Sequence, residues 1–76
     1  MSNNFAVTVI DVYVPDRRDI AYIENKINAE LPAELLVVLH VENLQVFAGD
    51  YNVGTEALRL DKEAYEELNV VLRKYL

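Results

Sequence analysis

The sequence predicts a small α/β (α+β) domain of order β-α-β-β-(β)-α, a three- or four-stranded mixed sheet carrying two helices. Two segments rich in β-branched and aromatic residues, Phe5 to Val14 and Leu35 to Val41, flank a stretch with helical periodicity, and a second amphipathic stretch closes the chain. Its 76 residues suit one domain, 1–76, with residues 1–4 as a disordered tail.

The first segment, FAVTVIDVYV, places Phe5, Val7 and Val9 on one face and Ala6, Ile10, Val12 and Val14 on the other, so both faces are largely apolar. Such a strand belongs inside a sheet or is covered on both sides. Pro15 ends it, and Asp16 is placed to cap a helix from about Arg17 to Leu31, with Asp19 as a weak capping-box partner. In that helix Ile20, Ile23, Ile27 and Leu31 form one apolar stripe, and Tyr22, Asn25 and Ala29 fall roughly opposite.

Pro32 stops the helix, and LLVVLHV forms the second strand with Leu35, Val37, Leu39 and Val41 on one face. A strand, a helix and a strand of these lengths predict a right-handed βαβ unit with parallel strands. Glu42-Asn43 suits a tight turn from which Leu44 to Ala48 returns antiparallel to the second strand. The segment Gly49-Asp50-Tyr51-Asn52-Val53-Gly54 reads as the one clear loop, and Glu56 to Leu60 as a short strand or a lead-in. Asp61 then caps the last helix, whose broad apolar face is Ala64, Tyr65, Leu68, Val71, Leu72, Tyr75 and Leu76. Both helices are expected on one face of the sheet, but because the strands are apolar on two sides, either one helix covers each face or a partner chain covers the second, and the latter, a dimer, is slightly favoured.

The chain is nearly empty of side chains for covalent or proton-transfer chemistry: no Cys, His40 alone, Ser2, Thr8 and Thr55. A nucleophile needs a base and an orienting group beside it, so no enzymatic activity is expected, and neither a cofactor nor a metal site is supported. His40 with Glu42 is the one imidazole-carboxylate spacing visible. Asp11, inside an otherwise apolar strand, must reach solvent at an edge, pair with Arg17 or Arg18, or face a partner chain.

Thirteen acidic against seven basic residues give a net charge of -6, which disfavours direct contact with nucleic acid and favours a basic protein surface as partner. A hydrophobic content of 53% with two Gly and two Pro argues for a folded chain. No secretory signal or membrane span is visible, and a cytoplasmic location is expected from the absence of Cys.

Six carboxylates fall within 50–67, against Arg59 and Lys62. Glu56, Asp61, Glu63, Glu66 and Glu67 are the candidate partner-binding residues among them, able to imitate a phosphate backbone, although dipole compensation explains acids early in a helix equally well. Val70 on the polar side of the same helix, Tyr22 on the outer face of the first, and Tyr51 at the tip of the glycine-bounded loop complete the set.

These features point to a protein-protein interaction module, a small acidic inhibitor or adaptor that docks on a basic, nucleic-acid-binding surface of a larger protein. Acidic inhibitors of this general character occur among virus-encoded counter-defence proteins of anti-CRISPR or anti-restriction type. The alternative is a structural homo-oligomeric subunit, most simply a homodimer. A weaker alternative is a small-ligand binder at the open end of the βαβ unit near Pro15 and Asp16, where Arg17 and Arg18 would take a carboxylate.

Overall fold

The computed structural model describes residues 6–16 and 19–76, so the expectations for Phe5, the tail, Arg17 and Arg18 lie outside the described residues. Strand β1 (Thr8–Val14) leads to helix α1 (Ile20–Glu30) and strand β2 (Leu35–Val41); a two-residue strand β3 (Asn52–Val53), a 3₁₀ helix (Thr55–Arg59) and helix α2 (Lys62–Tyr75) follow. The result is a small α+β domain with a mixed sheet ordered β2-β1-β3. β1 and β2 are parallel, from Thr8 opposite Leu35 to Val14 opposite Val41, as the βαβ spacing predicts. No helix among the described residues is long and apolar enough to cross a membrane.

Both helices lie over one sheet face. Ile10 and Val12 of β1 and Leu35, Val37 and Leu39 of β2 share a single core with Ile27 and Leu31 from the α1 side and Leu68, Val71 and Leu72 of α2. The predicted stripe of α1 faces inward, although Ile20 and Ile23 are only partly buried, and Tyr65 and Val41, expected on inner faces, are exposed. The other sheet face carries Val9, Asp11 and Tyr13 of β1 opposite Leu36, Val38 and His40 of β2. There Val9 and Leu36 remain 43% and 41% exposed.

The third strand is not where the sequence places it. Leu44 to Ala48 forms no strand against β2; instead Asn52 and Val53, expected within a loop, pair antiparallel with Tyr13 and Val12 of β1. The reason lies at the outer edge of β2, which α1 has already closed. The Asn28 side-chain amide accepts from Val37 N–H (2.8 Å) and donates to the Val37 carbonyl (2.9 Å), as a neighbouring strand would. Glu24 Oε2 accepts from Leu39 N–H at 3.0 Å, and the Pro32 carbonyl accepts from Leu35 N–H at 3.0 Å. Residues four apart on a helix advance about 6 Å and two apart on a strand about 6.6 Å, so one helical face can serve alternate strand residues. A returning strand would find these donors and acceptors occupied.

Asp19, not Asp16, occupies the N-cap of α1, and its side chain makes no capping bond; its carbonyl accepts from Ile23 N–H at 3.0 Å. Asp61 caps α2 as expected, accepting from Ala64 N–H at 2.9 Å. Glu56 to Leu60 is neither strand nor plain lead-in, because the 3₁₀ turn there delivers Ala57 into the core. Gly54 admits this turn: its N–H donates to the Asp11 carbonyl at 2.7 Å, and an added Cβ would lie 3.1 Å from that same oxygen.

Replacing Asn28 with Ala strands both the donor and the acceptor of Val37, a loss of about 2 kcal/mol. The expected fall in Tm is roughly 10 °C for a domain of this size, measured by circular dichroism. An unchanged Tm would show that water serves that edge as well as the side chain does.

Candidate functional site

Helix α2 separates its surfaces cleanly. Its inner positions Leu68, Val71 and Leu72 are buried, which turns Glu63, Glu66, Glu67 and Val70 outward. Glu63 in the first turn and Arg73 and Lys74 in the last complement the helix dipole. Three of the predicted acids and Val70, with Glu30 and Val71, line one groove of 360 Å³. Val70 is 64% exposed within it. Among the described residues, Glu63, Glu66 and Glu67 have no cationic partner.

Glu30 is the member sequence reasoning missed. It ends α1, where the negative pole of the helix disfavours an acid, and that misplacement is the signal that could have found it. Its carboxylate accepts two bonds from Lys74 Nζ, at 3.0 and 3.1 Å, and one from the Tyr75 hydroxyl. The Tyr75 bond, then the Lys74 bond, hold Glu30 below the usual carboxylate range; the same contacts push the Tyr75 phenol and the Lys74 ammonium up. The clasp ties the ends of the two helices together beside the groove.

The remaining predicted residues are dispersed. Asp61 spends one carboxylate oxygen on its cap. Tyr22 is exposed as expected, with the Lys26 ammonium 5.4 Å from its ring centroid. Tyr51, expected at a loop tip, is only partly exposed and packs against the core. Glu56 does not join the α2 acids: half-buried, it lines a separate cleft of 460 Å³ with Tyr13, Asn52 and Thr55.

In that second region a polar cluster forms on the open sheet face. His40 does not pair with Glu42, whose Oε1 accepts from Leu44 N–H; instead His40 Nε2 lies 2.9 Å from Asp11 Oδ1. The register places Asp11 opposite Val38 and Tyr13 opposite His40, so the pair is diagonal on one face, and the Tyr13 ring stacks on the imidazole at 5.0 Å. Asp11 thus finds a partner on the open sheet face, while its expected pairing with Arg17 or Arg18 lies outside the described residues. Hydrogen bonding to His40 holds the Asp11 carboxyl below its ordinary range against the opposing effect of burial. The Asp11 bond and the Tyr13 stacking together fix the orientation of the imidazole ring. Among the described residues no group of three or more His, Asp and Glu side chains is placed to hold a metal ion.

Compared with known proteins, the chain matches no family model, no curated sequence and no solved structure. Its surfaces must therefore carry the functional reading.

The two clasps predict a pH dependence. Asp11 and Glu30 each have a carboxyl lowered by folding, so each contributes stability that is present above the unfolded value, roughly pH 4, and lost as pH falls through the folded value. Thermal unfolding from pH 7 to pH 2 should show a steep acid limb for wild type. Asp11→Asn and Glu30→Gln should each flatten it, and acid limbs parallel to wild type in both variants would exclude these carboxylates as its source.

Proposed function

We propose that this chain is a protein-binding module, not a catalyst, and that it acts as a small acidic inhibitor or adaptor docking on a basic, nucleic-acid-binding surface of a larger protein. Virus-encoded counter-defence inhibitors of anti-CRISPR or anti-restriction type work in this general manner. The observation that carries the reading is the α2 groove, where three carboxylates with no cationic partner among the described residues stand around an exposed valine. Charge of one sign raises the encounter rate with a basic partner, and the apolar floor supplies desolvation once contact is made. Because Glu63, Glu66 and Glu67 follow the helical repeat, they present a row of negative groups on a rigid element.

A homodimer is the second reading, favoured by Val9 and Leu36 on the sheet face that no helix covers. Association would then be face to face, since α1 closes the outer edge of β2. Light scattering of the isolated protein separates the two: a stable dimer at micromolar concentration supports this reading.

The docking reading is tested by affinity capture at low and high salt with wild type and with Glu63, Glu66 and Glu67 changed to Gln. Gln keeps side-chain size and helix propensity while removing charge. The expected result is loss of partner with the variant and a steep fall with added salt for wild type. Equal recovery of the same partners by both baits, at either salt concentration, would remove α2 as the docking face.

A further inference from the structure

The two most exposed large hydrophobic side chains of the described residues are neither on α2 nor on the sheet: Leu44 is 89% exposed and Val46 93%. They belong to Leu44-Gln45-Val46-Phe47-Ala48, a segment with β-forming residues and an alternating pattern that nonetheless forms no strand. Its main chain makes two hydrogen bonds among the described residues, both to side chains: Leu44 N–H to Glu42 Oε1 and the Val46 carbonyl from Asn52 Nδ2, each 3.0 Å. A strand-competent segment whose main chain is bonded at Leu44 N–H and the Val46 carbonyl, and nowhere else among the described residues, is a template for main-chain pairing with another sheet.

We propose that Leu44–Ala48 is a strand-addition segment that docks on an exposed sheet edge of a partner protein carrying lysine or arginine side chains. This surface is separate from the α2 groove. The domain's own sheet offers no place for the segment: Asn28, Glu24 and Pro32 occupy the outer edge of β2, and at the opposite edge β3 spans only Asn52 and Val53. Asn52 holds the segment beside β3 by its side chain, bonding Gln45 Oε1 and the Val46 carbonyl at 3.0 Å each, so the segment is presented outward without being paired.

A second copy is a poor complement for electrostatic reasons. Antiparallel self-pairing about Val46 sets Glu42 of each copy opposite Asp50 of the other, and in-register parallel pairing sets Glu42 against Glu42 and Asp50 against Asp50. Like charges directly opposed across a ladder destabilise it. The same flanking acids attract an edge that bears cationic side chains, and lysine is the common guard of natural edge strands. Extended period-two geometry would put Leu44, Val46 and Ala48 together on one side of the added strand, where they supply the apolar contact.

The test uses the full chain and a cyclic β-hairpin peptide whose single free edge alternates Val and Lys, with a control in which Glu replaces each Lys. Binding is read by amide hydrogen exchange. Protection of the 44–48 amides by the Lys hairpin, with affinity at least roughly tenfold weaker for the Glu hairpin, is the expected result. Phe47→Pro removes a ladder donor on the edge opposite the Val46 carbonyl that Asn52 holds, and should weaken binding by roughly tenfold, the loss of one or two ladder bonds. Leu44→Ser with Val46→Ser, both at solvent-exposed positions, should weaken it as well. The Glu63, Glu66 and Glu67 to Gln variant should bind the hairpin as wild type does, so this proposal and the α2 reading fail separately. Protection confined to α2, equal binding of the two hairpins, no protection at 44–48, or undiminished binding by both loop variants would overturn the assignment, as would a wild-type dimer abolished by Phe47→Pro.

Discussion

The side-chain amide of Asn28 closes the outer edge of the sheet, and the path of the chain after β2 follows from that closure. By bonding both the N–H and the carbonyl of Val37 it stands in for a missing strand, and Glu24 continues the substitution at Leu39. Sheet edges attract further strands because unpaired main-chain groups cost free energy unless water or a partner serves them. Here the helix that connects the two parallel strands also terminates the sheet. The chain after β2 has no ladder to join, crosses to the far side of β1, and pairs there for two residues before turning into the 3₁₀ helix.

That constraint distributes the surfaces. With β2 closed, β1 becomes the central strand, flanked over its length by β2 and near its C-terminal end by β3. Both helices stack over one face, so apolar residues predicted for two covered faces divide into a core and an open side. On the open side Asp11, His40 and Tyr13 supply a polar cluster in place of a covering layer, which lowers the cost of leaving a sheet face in water. The remaining β-prone residues, Leu44 and Val46, are displaced into solvent rather than into a ladder.

Electrostatics follow the same architecture. At the C-terminal end of α2 the Lys74 ammonium and the neutral Tyr75 hydroxyl hold Glu30, while Glu63, Glu66 and Glu67 earlier in that helix have no cationic partner among the described residues. The net charge of -6 is therefore not spread evenly in its effect: of the carboxylates lining the groove, Glu30 is paired with Lys74, and Glu63, Glu66 and Glu67 have no cationic partner among the described residues. The proposed docking would draw on both steering by these charges and a desolvating contact at Val70.

What composition and periodicity determined by themselves was local. The two long strands, their parallel pairing, the apolar stripes of both helices and the Asp61 cap were all legible, because each depends on side-chain spacing within one element or on the length of one connection. Grouping Glu63, Glu66, Glu67 and Val70 was legible for the same reason, since a single helix carries them. Only the tertiary structure decided the sheet order, the displacement of Leu44 to Ala48, the burial of Tyr51 against the core, and the meetings of Asp11 with His40 and Glu30 with Lys74. Each of these joins residues far apart in the chain, and a polar side chain such as Asn28 shows no sign in its own segment that it will compete with a strand for an edge.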